Sequence, residues 1–161
     1  MEKKVTNVVV AGLGGQGVLK ASDMLAEAVF LAGLEVKKSE LHGMSQRGGS
    51  VWSDVRYGPE VFSPMIPAGE ADFLVVLEPT QLEPHRGVLR PGGVIITPDC
   101  VDETRLPNRR SLNVALLGCL SRHLEIPEAC WQAAVANHLS VALLAPNWQS
   151  FLMGRNTVTT T

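Results

Sequence analysis

Val8, Val9 and Val10 form a β-branched apolar run, and the hydrophobic period changes immediately after it. From Val18 the apolar and small residues Val18, Ala21, Ser22, Leu25, Ala28, Val29 and Ala32 recur on one helical face, with Lys20, Asp23 and Glu27 on another. This predicts a strand followed by a helix, closed by Gly33 at the C′ position. A second strand is expected over residues 34–38, then a polar, glycine-containing loop over 39–50. Residues 51–57 alternate, with Val51, Ser53, Val55 and Tyr57 on one face and Trp52, Asp54 and Arg56 on the other. Gly58-Pro59-Glu60 then separates this strand from Val61-Phe62-Ser63, which predicts a β-hairpin and hence a mixed sheet. The apolar run 73–77 reads as a central strand covered on both faces. A short helix to about Gly87 follows, then a Pro91-Gly92-Gly93 turn and a strand over 94–97.

The last third is helical. Ser111 is a candidate cap for a helix with Leu112, Leu116, Leu117, Leu120 and Leu124 as its stripe. Ile126-Pro127-Glu128 opens another, and residues 146–153 a short final one closed by Gly154. The pattern predicts an α/β fold, a three-layer α/β/α sandwich with a mostly parallel, mixed sheet and a helical C-terminal third. A single domain over 1–156 and a loose tail over 157–161 are expected.

Between the first strand and helix stand Gly12, Gly14 and Gly17, with Gly15 and Gln16 among them. The G-x-G-x-x-G spacing is weak alone, but a strand before it and a helix after it supply the required context. Glycines can take positive φ and let a ligand approach the backbone, while the helix start presents unpaired N–H groups to an anion. A phosphate or carboxylate suits the turn, and so does a purely structural role. Lys20 is not adjacent to Gly17, so the turn is not a P-loop. Gln16 either fixes the turn or touches a ligand.

Composition narrows the field. With 14 basic and 16 acidic residues the net charge is -2, giving no electrostatic reason to expect nucleic acid or an anionic membrane as partner. The polar N-terminus carries no apolar leader and no apolar stretch is long enough to span a membrane, so the expected location is cytoplasmic. Cys100, Cys119 and Cys130 match neither paired metal-ligand spacing nor a disulfide framework, and they read as buried free thiols. No metal site or iron–sulfur pattern is expected on this chain.

The 39–50 loop is the second candidate, because a connection of that length inside a compact domain usually serves a site. Arg47 offers a fixed five-donor fork for carboxylate or phosphate, or for an ion pair with an acid such as Glu40, and Gln46 offers an amide. Ser45 has no evident base beside it, so no nucleophile and no catalytic residue are assigned. His42 orders the loop or donates to a ligand. Ser45, Gln46, Arg47, Gly48 and Gly49 join Gly12, Gly14, Gly15, Gln16 and Gly17 as the candidate ligand-binding set. Met44 and Trp52 are expected to pack in the core or on a partner surface. Lys37, Lys38, Arg109 and Arg110 read as solvated surface charge.

Two motifs carry a resemblance: Gly12-Leu-Gly-Gly-Gln-Gly17 after an N-terminal strand, and Leu41-His-Gly-Met-Ser-Gln-Arg-Gly-Gly-Ser50 before the strand with Trp52 and Arg56. Similarity continues through Phe73-Leu-Val-Val-Leu-Glu78, Leu89-Arg-Pro-Gly-Gly-Val94 and the helices of residues 113–131. The chain thus resembles the gamma subunit, or gamma domain, of 2-oxoacid:ferredoxin oxidoreductases acting on pyruvate, ketoisovalerate or indolepyruvate, nearest the indolepyruvate oxidoreductase beta-subunit type. The resemblance implies an accessory subunit, inactive alone, of an enzyme that makes acyl-CoA, CO2 and reduced ferredoxin from a 2-oxoacid. It implies thiamine diphosphate, Mg and [4Fe-4S] clusters on partner subunits, ferredoxin as an indirect partner, and leaves a share in CoA binding open. Two rivals remain. An independent NAD(P)-dependent oxidoreductase would need a ribose-binding acid at the end of the second strand, where Glu35 lies too early and Glu40 too late. The other is a binding module without catalysis.

Overall fold

The computed structural model describes residues 5–43 and 49–157. Five strands form one open sheet in the order β2-β3-β1-β4-β5, made by β1 (Thr6–Leu13), β2 (Glu35–His42), β3 (Ser50–Gly58), β4 (Ala71–Val76) and β5 (Leu89–Ile96). The pairs β1–β4 and β4–β5 are parallel, while β3 runs antiparallel to both β1 and β2. Four strands therefore point one way and β3 alone opposes them, the expected mostly parallel, mixed sheet. The strand in the middle is β1, and Val8, Val9, Val10 and Ala11 are at most 1% exposed.

On one face α1 (Val18–Leu31) and α3 (Leu112–Ser121) cover Val8, Val10, Val55 and Val75. Behind them lie α4 (Glu128–Asn137) and α5 (Val141–Arg155), with Trp131 and Phe151 fully buried. The other face, with Val9, Ala11, Leu74 and Val76, is covered by Ile66 and by the short helical turns around α2 (Leu82–His85). No described helix is long and apolar enough to cross a membrane.

Several expectations change at the level of elements. The second strand runs on to His42 because its backbone stays laddered to β3 as far as His42↔Val51, so the connection shortens to residues 43–49. The partner of 51–57 in the hairpin is β2, not residues 61–63, since β1 and β2 occupy both edges of β3. Residues 61–66 are instead tied down by side chains: Arg56 Nη1 donates to the Ser63 carbonyl at 2.8 Å and Ile66 N–H to Asp54 Oδ2 at 3.1 Å. Pro91-Gly92-Gly93 lies inside β5, where the register shifts opposite Ala71 and Phe73; an edge strand tolerates both the proline and the bulge.

Three further readings are corrected in the C-terminal part. Ser111 gives α3 no side-chain cap; its hydroxyl instead contacts the Asn108 carbonyl and Ser150 Oγ. The final helix begins at Val141 and contains Pro146, with Asn147 Nδ2 donating to the Leu143 carbonyl at 2.8 Å. Cys100 and Cys119 are not free thiols but a disulfide, because the turn leaving β5 runs alongside α3; Cys130 alone is free. Of the tail expected over 157–161, Thr157 is described and its hydroxyl donates to the Met153 carbonyl at 2.6 Å, while residues 158–161 lie outside the described residues.

Gly154 does not end α5 but lets it touch α3. A Cβ there would collide with the Ala115 carbonyl, and one at Gly118 with the Phe151 carbonyl. Gly154→Ala should therefore force two backbones apart, costing at least about 2 kcal/mol on the scale of overpacked cores, read as a lower denaturant midpoint with an unchanged slope. Tyr57, the single tyrosine, is pushed from 10.0 up to about 12, chiefly by burial, opposed by a hydrogen bond with Thr6 and reinforced by Asp72 and Glu125. The folded state favours its neutral form, so this stabilisation is full below pH 10 and is lost as pH rises toward about 12. Absorbance at the tyrosinate band should stay flat through pH 10 in native protein and rise there only after denaturation.

Candidate functional site

The last residues of β1 form the floor of the site. A Cβ at Gly12 would lie 2.9 Å from Val18 Cγ2 and 3.1 Å from Leu77 Cβ, so strand, α1 and the end of β4 meet here only over a glycine. Gly15 and Gly17 then take φ of +90° and +84°, the left-handed region that favours glycine. Gln16 resolves toward the structural reading: Oε1 accepts the Leu13 N–H at 2.7 Å and Nε2 donates to Glu78 Oε2 at 3.2 Å.

Gly17 is the N-cap of α1, with no side chain capping the helix and no acid in its first turn. The first-turn N–H groups are left to meet an anion or water, and the positive end of the helix is not neutralised locally. Asn113, only 8% exposed, buttresses the turn by donating Nδ2 to the Gly17 carbonyl at 3.2 Å. Its Oδ1 accepts the Val114 N–H at 2.9 Å, which fixes the amide.

Beside this turn opens a cavity of about 390 Å3 lined by Gly15, Gln16, Gly17, Asn113, Arg109 and Arg110. The two arginines sit in the 3-10 turn Arg109–Ser111 just before α3, held by Asn108, whose side chain accepts the Arg110 N–H. They are exposed, as solvated charge would be, but the fold turns that charge toward the glycines. The sequence signal was the Asn108 cap before Arg109-Arg110; what was missing was the packing of α3 against α1. The starts of α1 and α3 and two arginines thus line one space.

Of the second motif, Gly49 reaches the same place, since its carbonyl accepts the Gly14 N–H at 2.9 Å. The loop is pinched at its base by the Gly43 N–H to the Ser50 carbonyl at 2.7 Å. Met44, Ser45, Gln46, Arg47 and Gly48 lie outside the described residues. His42 is exposed at the end of β2, and Glu40, proposed as an alternative partner of Arg47, pairs with Lys38, which also meets Asp23. Lys38 is therefore not simply solvated; its pKa is raised, burial working against hydrogen bonds and charge from the two acids. Among the described residues no group of three His, Cys, Asp or Glu is gathered that could hold a metal ion.

A dinucleotide site needs the acid of the second strand beside the glycine turn. Here β3 lies between β2 and β1, and Glu40 is within β2 and occupied by Lys38. The topology puts no second-strand acid beside the turn, and the acid that is there, Glu78 just after β4, is engaged by Gln16.

Sheet order and turn define an open, mixed α/β domain with a glycine turn and two arginines beside it at the carboxyl end of its central strand. Its family follows from similarity over that same region: the chain belongs to the pyruvate ferredoxin/flavodoxin oxidoreductase family, whose model matches residues 7–110. It is 43% identical over 94 residues to indolepyruvate oxidoreductase subunit IorB of Thermococcus kodakarensis, an alignment covering 58% of this chain and 46% of that protein. The match thus spans about half the length of that curated relative. Among solved structures, the keto/oxoacid ferredoxin oxidoreductase gamma subunit of Geobacter sulfurreducens superposes with a TM-score of 0.80 at 18% identity, covering 96% of this chain and 97% of that one. A 2-oxoglutarate:ferredoxin oxidoreductase of Magnetococcus marinus, solved with 2-oxoglutarate, coenzyme A and succinyl-CoA bound, gives 0.83 at 22% identity over 99% of this chain and 32% of that one. At these identities the two structures establish the fold.

Gly17→Ala should cost about 1–2 kcal/mol for the left-handed backbone alone, and more because the new Cβ would sit 2.5 Å from Asn113 Nδ2. In an Asn113→Ala background the same substitution should cost less, leaving the backbone share. A double-mutant cycle by denaturant unfolding measures the difference, and strictly additive costs would show that Asn113 does not press on the turn.

Proposed function

We propose that this chain is the accessory, gamma-type subunit of a thiamine-dependent 2-oxoacid:ferredoxin oxidoreductase acting on indolepyruvate or a related aryl pyruvate. In this reading the complex converts the 2-oxoacid and CoA to acyl-CoA and CO2 and passes the electrons to ferredoxin. Family membership and the name of the IorB relative support the reaction class and the aryl substrate. Thiamine diphosphate, Mg and the [4Fe-4S] clusters are assigned to partner subunits, with ferredoxin meeting the complex through them. The compartment is the cytoplasm.

Within that complex the cradle formed by the glycine turn and the two arginines takes an anionic part of CoA. The observation that carries this is the convergence of Arg109 and Arg110 on the positive-φ turn Gly15–Gly17 at an uncapped, acid-free helix start. CoA supplies phosphate oxygens of matching chemistry, and the structural neighbour from Magnetococcus marinus holds coenzyme A. Backbone N–H groups at the start of α1 would meet phosphate oxygens directly, and the guanidinium forks would add charge-assisted hydrogen bonds. Gly12 and Gln16 hold the turn. Ser45, Gln46, Arg47, Gly48 and Gly49 belong to the same proposal as further ligand-binding residues, Gly49 being tied to the turn through the Gly14 N–H.

The test is reconstitution with the partner subunits, followed by 2-oxoacid-dependent reduction of ferredoxin or a dye. Arg109→Ser together with Arg110→Ser should raise the KM for CoA at least about tenfold, the scale of one lost charge-assisted contact. The KM for the 2-oxoacid should stay unchanged, and the parent's CoA dependence should weaken with salt. An unchanged KM for CoA would remove the cradle from CoA binding. The isolated chain should show no turnover, and robust activity from it would overturn the subunit reading.

A further inference from the structure

On the opposite face of β1 and β3 from α1 lies a second cleft, of about 660 Å3, which the cradle does not use. Its size falls in the range of small-molecule sites, about 300–1,000 Å3, and exceeds what one inserted side chain fills. The walls are mostly apolar, with Val9, Trp52, Met65, Ile66 and Val88 among them. Met65 is 53% exposed, which leaves its side chain at the rim.

The polar group that marks the cleft is a buried carboxylate. Asp54 is 5% exposed, and among the described residues its carboxylate takes one hydrogen bond, from the Ile66 N–H at 3.1 Å. A buried carboxylate with one donor is under-satisfied. Burial accordingly raises its pKa, partly offset by that hydrogen bond and by the Arg56 and His85 charges. His85 Nδ1 lies 2.9 Å from the Gln81 carbonyl, which can only accept, so Nδ1 carries a proton. Ser50 Oγ is already committed to Gln81 Oε1 at 2.7 Å. Trp52 meets the His85 ring edge-on, centroids 5.0 Å apart, and lends the wall an aromatic surface.

We propose that this cleft is a binding site for a small aromatic molecule carrying an N–H or ammonium donor and no anionic group, its ring against Trp52, Met65 and Val88 and its donor toward Asp54. Apolar walls and an aromatic face favour a flat ring. The buried carboxylate of Asp54 selects for N–H and against a second anion. A donor placed there supplies the hydrogen bond that burial has left missing.

The experiment uses the full chain, labelled with 15N, titrated with indole, tryptamine and indole-3-acetate while amide, Trp and His resonances are followed. Indole and tryptamine should shift Trp52, Gly87 and Val88 saturably, with tryptamine at least fivefold tighter than indole-3-acetate at neutral pH. Asp54→Asn keeps an oxygen for the Ile66 N–H, and should level tryptamine and indole-3-acetate to within twofold. Ala68→Trp, at an exposed lining position, should fill the cleft and abolish the shifts. No saturable shift, equal affinity for the amine and the acid in the parent chain, or shifts confined to Gly15–Gly17 would each overturn the proposal. Saturable binding to the isolated chain that vanishes on reconstitution with partner subunits would also overturn it, assigning the cleft to a protein surface instead.

Discussion

Backbone-to-backbone approach at the carboxyl end of β1 is the constraint on which the rest of the structure depends. Gly12 lets Val18 and Leu77 close over the strand, and Gly17 lets Asn113 reach from α3 to its carbonyl. Any side chain at those points would push α1 and α3 away from the sheet and from each other. The cost would fall on the buried set beneath them, where Met24, Leu25, Leu116 and Leu117 exclude solvent completely. The same approach leaves the start of α1 without a side-chain cap, since the residue in the capping position is itself a glycine. Packing and ligand readiness therefore have a common origin: the residue that permits close contact is the one that cannot satisfy the helix start.

The antiparallel strand β3 sets the character of the site. In an all-parallel doubly wound sheet the second strand would lie next to β1 and place its terminal acid beside the glycine turn. Inserting β3 moves Glu40 one strand outward, where Lys38, which also pairs with Asp23, engages it. What the turn meets instead is Glu78, bonded to Gln16, and Arg109 and Arg110 from just before α3. A glycine spacing associated with dinucleotides is thus carried on a topology that withholds the ribose contact and supplies two guanidinium groups instead.

Local signals made much of this legible. The triple-valine strand, the helical stripe from Val18 and the positive-φ Gly33 fall where period and glycine chemistry put them. Signals failed where tertiary contact outvoted local pattern. Ser39, Glu40 and His42 lack a strand period, yet their backbone is laddered to β3; Pro146 looks like a helix start, yet α5 runs through it. The Pro91-Gly92-Gly93 signal marked a bulge in an edge strand and not a turn. For the site, the glycines declared themselves because their role is conformational. Arg109, Arg110 and Asn113 did not, because nothing in their neighbourhood tells which other helix they will face. The Cys100–Cys119 pair was hidden for the same reason, since its partners meet only after β5 has been laid beside α3.

The cradle and the second cleft differ in sign as well as in face. One is lined by the glycine turn and two arginines, the other by a buried carboxylate. They are nevertheless joined through very little chain. Ser50 lines the cleft and pairs with Leu13 across the sheet, while the neighbouring Gly49 carbonyl accepts the Gly14 N–H in the turn. A ligand that moves this short stretch of backbone on either face does work on the other. Linkage requires the effect to be reciprocal: whatever factor an occupant of the cleft applies to an anion in the cradle, the anion applies to that occupant. The size of that factor depends on how firmly the Gly14–Gly49 bond holds, since a rigid span transmits a shift and a loose one absorbs it.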